Sequence, residues 1–339
     1  MAASKRQVGN VTEKTTLEAP TMADHAQFLI ETAARAPSVH NSQPWRFRVG
    51  SSAIELSCDK QRKLQADLLG REMLISCGTA LFGLRLGVRS LGYLPVVTLL
   101  PDPARPRLVA RVGIGAAAPM TGEERRMLEA VPHRHTHRGP FEPGPLPAGL
   151  LAGLQDDALA EGATLALVEG DIAYRQLADL VAAAADQLDL DPRARDETRR
   201  WTRSADSPAR DGVSAQAYTA HGGQRPGRLQ QRDFDLGRRL ARLPAGGESP
   251  AATAVLLTRC ESSPDWLRAG QALHRLLLHA TTKWVFASLY TQPLETSLTR
   301  ALIRDRLALP GHPQVLLQFG CARTTHPTGR RPANELTDP

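Results

Sequence analysis

The chain has 339 residues, with 42 Lys or Arg against 35 Asp or Glu, and its formal net charge is +7. This length allows one large domain or two ordinary domains with ample core. A basic chain suggests a nucleic-acid partner, but aromatic residues make up only 4% and do not interleave with a basic cluster, so we expect no nucleic-acid binding.

The cysteines and the apolar segments predict the compartment. Cys58, Cys77, Cys260 and Cys321 lie far apart without a C-x-x-C pair, so neither a structural zinc site nor a disulfide framework is indicated. No apolar run has the length of a bilayer span, and residues 1–20 lack the apolar core of a signal peptide. We therefore expect a reduced, cytoplasmic protein with no membrane partner and a disordered leader over residues 1–20.

The first landmark along the chain is the loop over residues 36–45. Apolar spacing predicts a helix over residues 21–36 with Thr21 as its N-cap. Pro37 ends this helix, because the residue before a proline is pushed out of the α region. The loop's hydroxyls and amides suit a heteroaromatic, polyhydroxylated ligand, although a plain loop before a buried Trp45 fits equally. These side chains belong to Ser38, Asn41, Ser42 and Gln43.

The apolar patterns that follow predict short strands and amphipathic helices. Thr121 and Glu124 form a capping box that opens a connector helix. Gly78 and Gly83 permit another helix to approach the helix over residues 71–91 closely. The predicted strands cover 45–49, 53–58, 94–100, 107–114, 164–168, 254–258, 285–290 and 315–320, and the other helices cover 121–131, 146–159, 172–188, 266–281 and 294–307.

The second landmark is the run His-Arg-His-Thr-His-Arg over residues 133–138. In an extended segment, Arg134, Thr136 and Arg138 would point to one side and the three histidines to the other. The arginine face matches a phosphate dianion, which guanidinium groups bind bidentately. The histidine face is typical of strand-borne zinc sites. A solvated strand without a ligand is the third interpretation, and the segment alone leaves all three open.

Residues 193–247 are rich in Arg, Asp, Gln and Gly. Long irregular insertions in compact domains are usually functional or mobile, so this segment is either a lid or a solvated loop. The chain has no G-x-S-x-G elbow, Walker A loop or G-x-G-x-x-G motif. An enzyme without its own nucleophile depends on a cofactor for its chemistry.

Together the two landmarks resemble the FMN-contacting segments of the nitroreductase superfamily. The motifs are P-S-x-x-N-S-Q-P-W over residues 37–45 and R-H-T-x-R-x-x-F over residues 134–141. Phe319-Gly320 and the later Arg330-Arg331-Pro332 resemble its phosphate-contacting tail, and residues 266–273 resemble its long core helix. The resemblance spans about residues 22–335.

The order of the motifs differs from that of ordinary members, in which the arginine motif comes first in a short chain that dimerises around FMN. The resemblance therefore implies two nitroreductase-like halves fused in one chain by internal duplication, as in the Acg-type branch. It implies an α+β fold, in which each half of this pseudo-dimer has a central, mostly antiparallel sheet flanked by helices. The implied divisions are a leader 1–20, an N-terminal half 21–115, a connector helix 116–132 and a C-terminal half 133–339 with a lid-like insertion 193–247.

The resemblance also implies a cofactor and a reaction. One FMN would lie between the halves, NAD(P)H would reduce it through flavin N5, and the electrons would pass to a nitroaromatic or quinone-type acceptor. No catalytic side chain and no metal are implied. The implied FMN contacts are Arg134, His135, Thr136, Arg138, Pro37, Ser38, Asn41, Ser288, Leu289 and Arg330.

Several alternatives remain beside this interpretation. Trp284 stands where ordinary members carry a Gly-Leu pair near the flavin, and its indole could block the approach of NAD(P)H or substrate. The chain would then be an FMN-sequestering or storage protein with little or no turnover. A metalloenzyme built on the histidine face is the third possibility. Gln43 and Trp45 are expected to be structural, and the protein is either a monomer or a homodimer.

Overall fold

The structure, a computed structural model, describes residues 21–139, 141–218, 228–241, 252–322 and 328–338. The expected leader 1–20 lies outside these ranges, as do residues 219–227 and 242–247 of the insertion. Across the described ranges, no helix combines the length and the apolarity that crossing a bilayer requires.

The described residues form α-helices, strands and short 3-10 turns. The helices are α1 (Ala26–Ala34), α2 (Arg71–Ser90), α3 (Gly122–Ala130), α4 (Leu150–Ala160), α5 (Asp171–Leu190), α6 (Pro192–Arg200), α7 (Ser263–Thr281), α8 (Ser297–Arg306) and α9 (Ala333–Leu336). The strands are β1 (Trp45–Val49), β2 (Ala53–Cys58), β3 (Tyr93–Leu99), β4 (Leu108–Ala117), β5 (Thr164–Leu167), β6 (Thr202–Arg203), β7 (Val213–Ser214), β8 (Ala252–Thr258), β9 (Val285–Tyr290) and β10 (His312–Cys321).

Two four-stranded sheets carry the architecture, in the orders β1-β2-β4-β3 and β5-β8-β10-β9. Every pairing within them is antiparallel. The first two predicted strands form the expected hairpin, with Trp45 opposite Cys58. The predicted α+β class with antiparallel sheets and flanking helices is therefore confirmed. The division of the chain into two halves stays an interpretation, because one apolar core includes residues of both sheets.

Helices α2 and α7 cross between the two sheets at a contact that only glycine permits. A Cβ added to Gly270 would lie 2.0 Å from the carbonyl oxygen of Ile75, and one added to Gly78 would lie 2.3 Å from that of Leu267. Gly83 faces the backbone of α1 in the same way. The expectation that glycines on this helix allow close approach is confirmed. The crossing joins the structures on both sides into one body.

Some predicted boundaries were wrong for local reasons. Helix α1 begins at Ala26 rather than Thr21, because the Thr21 hydroxyl donates to Asp24 Oδ2 at 2.7 Å in a preceding turn. Helix α8 begins at Ser297 rather than Leu294, since Thr296 caps it. The insertion begins as helix α6, with Asp191 as its N-cap and a proline at its first position. Because this segment is rich in arginine, its sequence did not predict the start of α6.

Candidate functional site

The loop after α1 has a strained backbone. His40, Asn41 and Gln43 have φ angles of 52°, 53° and 50°, a left-handed conformation that costs non-glycine residues about 1–3 kcal/mol each. The Gln43 amide holds the loop, because it donates to the Arg210 carbonyl at 2.8 Å and accepts from the Arg331 N–H at 2.9 Å. Gln43 thus has the expected structural role. Strain of this kind persists where the surroundings fix it, typically at ligand sites.

Asn41 connects the same loop to the insertion and to the C-terminal tail. Its Nδ2 donates to the carbonyl oxygens of Gly212 and Gly329, each at 3.0 Å. Its Oδ1 is buried and has no hydrogen-bond partner among the described residues. Asn41 therefore lies next to the segment that carries Arg330, although it is not part of the cavity wall described below.

A cavity of about 790 Å³ lies between this loop and the rear part of the chain. This volume includes space that is open to solvent. Its wall brings together loop residues, the arginine segment and strand β9, which are far apart in the sequence. The predicted contact residues in the wall are Pro37, Ser38, Thr136, Arg138, Ser288 and Leu289.

Two arginines from distant segments meet behind this wall. The Nη2 atoms of Arg134 and Arg330 both donate to the carbonyl oxygen of Arg35, at 3.3 Å and 3.4 Å. Three of their buried nitrogens, Nε and Nη1 of Arg134 and Nε of Arg330, have no hydrogen-bond partner among the described residues. We call Arg35, Arg134, Arg138 and Arg330 the arginine cluster.

The electrostatics of the arginine cluster are unfavourable without an anion. Burial, with the nearby Arg138 and Arg35, lowers the pKa of Arg134 to about 10. Burial also lowers the pKa of Arg138 to about 10. The pKa of Arg330 is lowered further, by burial and by the other three cations. Within the described residues, no carboxylate forms an ion pair with Arg134, Arg138 or Arg330. The cluster is therefore suited to a dianion that accepts several charge-assisted hydrogen bonds.

The segment that carries two of these arginines does not form a continuous strand. Thr136 makes an isolated parallel bridge to Ala287, and the Ser288 hydroxyl donates to the His137 carbonyl at 2.9 Å. Thr136, His137 and Arg138 all line the cavity, so the predicted strict alternation of faces does not hold. A single bridge leaves the neighbouring residues free to turn their side chains away from the strand pattern.

His135 is buried outside the cavity wall. Its Nδ1 lies 3.2 Å from the carbonyl oxygen of His133, and its ring centroid is 4.5 Å from that of Phe286. Among the described residues, the grouped candidate metal ligands lie elsewhere, at Glu123, Asp157 and His279. Arg275 already occupies that group with a 2.7 Å bond to Asp157. The predicted zinc alternative for the histidine face gains no support from this geometry.

The insertion covers one side of the cavity. Gln231, Arg232 and Phe234 belong to its wall. The guanidinium carbon of Arg138 lies 5.4 Å from the Phe234 ring centroid, within cation–π range. Arg232 pairs with Glu295, and Gln231 donates to the Ser288 hydroxyl at 3.3 Å. Trp284, by contrast, is 51% exposed and outside the wall. Cover over the cavity is thus provided by Phe234 rather than by Trp284.

Sequence reasoning missed an acid in the cavity wall. Glu72, in the first turn of α2, is 4% exposed, and its Oε1 lies 3.4 Å from Arg71 Nη2. Burial and then the nearby Glu295 raise its pKa to about 8. An acid in the first turn of a helix usually complements the helix dipole at the surface. Because surface acids are common in the first turn of a helix, the sequence contains no signal that Glu72 is buried.

Comparisons with known proteins bear on the identity of the site. No protein-family model matches the chain. A Mycobacterium tuberculosis (strain H37Rv) protein named "Putative NAD(P)H nitroreductase Rv3131" is 30% identical over 328 residues, which cover 93% of this chain and 92% of that protein. The protein named "Putative NAD(P)H nitroreductase acg" from the same strain is 27% identical over 317 residues, covering 91% and 93%.

Solved structures show a weaker likeness. A nitroreductase with bound FMN from Desulfitobacterium hafniense DCB-2 has a TM-score of 0.40 and 13% identity, over 63% of this chain and 97% of its own. The family assignment therefore depends on the mycobacterial relative of 30% identity, whose alignment covers almost the whole chain.

Proposed function

Because this chain belongs to the NAD(P)H nitroreductase family, we propose that it is an FMN-dependent oxidoreductase that uses NAD(P)H to reduce a nitroaromatic or quinone-type acceptor. The relatives named NAD(P)H nitroreductases suggest the reductant. The observation that supports FMN as the cofactor is the arginine cluster, because its buried nitrogens lack hydrogen-bond partners among the described residues and Arg138 lines the cavity.

The residues present fit both the phosphate end and the flavin end of FMN. Arg134, Arg138 and Arg330 would hold the phosphate, since their cationic nitrogens need an anionic acceptor. The wall formed by Pro37, Ser38, Thr136 and the β9 backbone at Ser288 and Leu289 would hold the ribityl chain and the flavin ring. The Ser288 hydroxyl donates a hydrogen bond to the His137 carbonyl, so the Ser288 backbone is the part that is available to a ligand.

When bound, FMN supplies the electron transfer that none of these side chains provides. The chain's own contribution is to bind, to orient and to exclude water. The arginine cluster would fix the phosphate end, and the Gln43 N–H, which donates to the Ser38 hydroxyl at 2.9 Å, fixes Ser38 at the cavity wall. Phe234 covers Arg138 and lies edge-on to the His40 ring at 5.5 Å. Burial and the cations Arg232 and Arg138 hold the pKa of His40 well below its usual value, so His40 is neutral beside the ligand.

A second candidate function is the sequestration of FMN with little or no turnover. It is favoured by the cover that residues 228–241 place over the cavity through Gln231, Arg232 and Phe234. A cover fastened by the Arg232–Glu295 pair would retain FMN and keep NAD(P)H out. The lid-like role of the insertion is part of this proposal.

One experiment separates the candidates. The purified full chain is examined by visible spectroscopy and metal analysis, and is then mixed with NADPH, and separately NADH, without oxygen. A yellow protein that bleaches within seconds supports the oxidoreductase, and reoxidation by menadione or nitrofurazone tests the acceptor class. A yellow protein that does not bleach supports sequestration. A colourless protein that takes up no added FMN contradicts both.

A further inference from the structure

We propose that Glu72 is a proton relay, which passes protons from an outer cleft to the acceptor bound in the inner cavity. This inference rests on the proposed oxidoreductase function and adds a side chain that takes part in the reaction. It is supported by the position of Glu72 in a wall that two cavities share and by the Oε2 of its carboxyl group, which is unpartnered among the described residues.

Glu72 lies in a wall that two cavities share. The inner cavity is the one assigned to FMN and acceptor, and the outer cleft of about 1580 Å³ lies between α2, α5, α6 and α8. Three residues line both: Arg71, Glu72 and Gln292. Glutamine does not titrate. Arg71 is engaged with the Leu294 carbonyl at 3.0 Å and with Gln314. Glu72 is therefore the residue of this wall that can take up a proton on one side and release it on the other.

The carboxyl of Glu72 is buried but incompletely bonded. Its side chain is 4% exposed, and Oε1 is 3.4 Å from Arg71 Nη2. Oε2 has no hydrogen-bond partner among the described residues. A buried polar atom without a partner is costly, and a protonated carboxyl can remove that cost by donating to a ligand oxygen in the cavity.

The charges around Glu72 keep it close to its titration point. Asp67 precedes α2, Arg71 is on α2, Glu295 precedes α8, and Arg232 comes from the insertion. The two acids and burial favour the neutral carboxyl, while Arg71 and Arg232 favour the carboxylate. The balance puts the pKa at about 8. A group whose pKa lies near the working pH can both give and regain a proton efficiently.

The step balances with the reactants already named. Reduction of a quinone to a hydroquinone takes two electrons and two protons. A hydride equivalent originating from NAD(P)H carries both electrons and one proton. The O–H bond of Glu72 breaks as an O–H bond of the hydroquinone forms, and a proton from water in the outer cleft restores the carboxyl. The sum is NAD(P)H, a proton and the quinone giving NAD(P)⁺ and the hydroquinone.

The first test needs neither cofactor nor turnover. Infrared difference spectra of the FMN-free protein are recorded between about pH 6 and about pH 10, above the ordinary carboxyl range, so that ordinary carboxylates stay ionised throughout. Wild type should lose a carboxylic-acid carbonyl band near pH 8, and Glu72→Gln should lack that band. Since glutamine has nearly the shape of the neutral acid, the variant should fold. Identical spectra for the two proteins would show that Glu72 does not titrate in this pH range and would overturn the relay.

The second test uses the FMN-loaded protein with menadione as the acceptor. Glu72→Gln should slow reoxidation by menadione about 100-fold, the scale of general acid catalysis, and should flatten its pH profile, with a smaller effect on bleaching by NADPH than on reoxidation. Glu72→Asp should restore part of the pH dependence. Glu261→Gln is the matched control, because Glu261 pairs with Arg300 and lines neither cavity.

The outcomes separate the relay from the proposed function. A wild-type rate and pH profile in Glu72→Gln would refute the relay while the oxidoreductase remains. A wild-type protein that never bleaches with NADPH would refute the oxidoreductase and the relay together. An equal loss in Glu72→Gln and Glu261→Gln would mean that the charge network is structural, and would also refute the relay.

Discussion

Replacing Arg134 by methionine should stabilise the FMN-free protein and weaken its binding of FMN. Arg134 is 5% exposed, and its pKa falls from 12.5 to about 10. This lower pKa corresponds to a cost of about 3 kcal/mol for keeping the buried group charged at neutral pH. Methionine removes this cost and loses the bond to the Arg35 carbonyl, worth about 1 kcal/mol. The free energy of unfolding should therefore rise by about 2 kcal/mol.

In the presence of FMN the same substitution should have the opposite effect. Each hydrogen bond from a cation to the phosphate contributes about 1.5–3 kcal/mol, so the dissociation constant should rise about 10- to 100-fold. Urea denaturation without FMN measures the first effect, and titration with FMN measures the second. The double variant Arg134→Ala with Arg330→Ala should release the flavin altogether.

Arg300→Met provides the matched comparison for Arg134→Met. Arg300 is also buried, but it pairs with Glu261 at 3.1 Å and donates to the Leu294 carbonyl at 2.8 Å. Its replacement should destabilise the protein, because an established pair is broken and one partner is left without its counter-charge. The reasoning would be refuted if Arg134→Met lowered the stability of the FMN-free protein as Arg300→Met does and left the affinity for FMN unchanged.

Three further outcomes follow from the structure. Gly270→Ala should cost about 3 kcal/mol or more in urea denaturation, because its Cβ would meet the Ile75 carbonyl at 2.0 Å; Gly122→Ala, with 3.6 Å of clearance, should be nearly neutral. Phe234→Ala should speed FMN release about 10-fold, on the scale of one lost cation–π contact and its cover, in a stopped-flow dilution. Folding raises the pKa of Glu72 from 4.5 to about 8, so the stability it confers is present below about pH 4.5 and is lost as the pH rises through 8; Glu72→Gln should flatten that part of the curve.

The parts of the fold that sequence predicted correctly are specified by neighbouring residues. The β1-β2 hairpin and the capping box of Thr121 and Glu124 depend on residues a few positions apart. The start of α1 was wrong because Thr21 has a competing local partner in Asp24. The contact of Gly78 with α7 could be anticipated as a close approach, but its partner Gly270 could not, since the contact joins residues far apart in the chain.

The motifs predicted which segments of the chain form the site, but they did not predict how these segments are arranged in space. The loop motif and the arginine motif indicated Ser38 and Arg138, and both line the cavity. The cover by Phe234 depends on an insertion whose sequence matches no motif, and the buried position of Glu72 depends on packing by elements distant in the chain. Arg35 joins the arginine cluster through its carbonyl oxygen. No side-chain pattern could have predicted a backbone acceptor.

A bound anion in the native state would explain both the strained loop and the arginine cluster. Both features lower the stability of the protein, and both lie where Asn41 ties the loop to the segment carrying Arg330. A structural role alone would favour an apolar or acidic residue in place of Arg134, because either removes the repulsion between the buried cations. An arginine at this position is favourable when a ligand supplies negative charge. FMN binding should therefore stabilise the folded chain through mass action, and the energy released at the phosphate should appear as resistance to unfolding of the loop and the tail together.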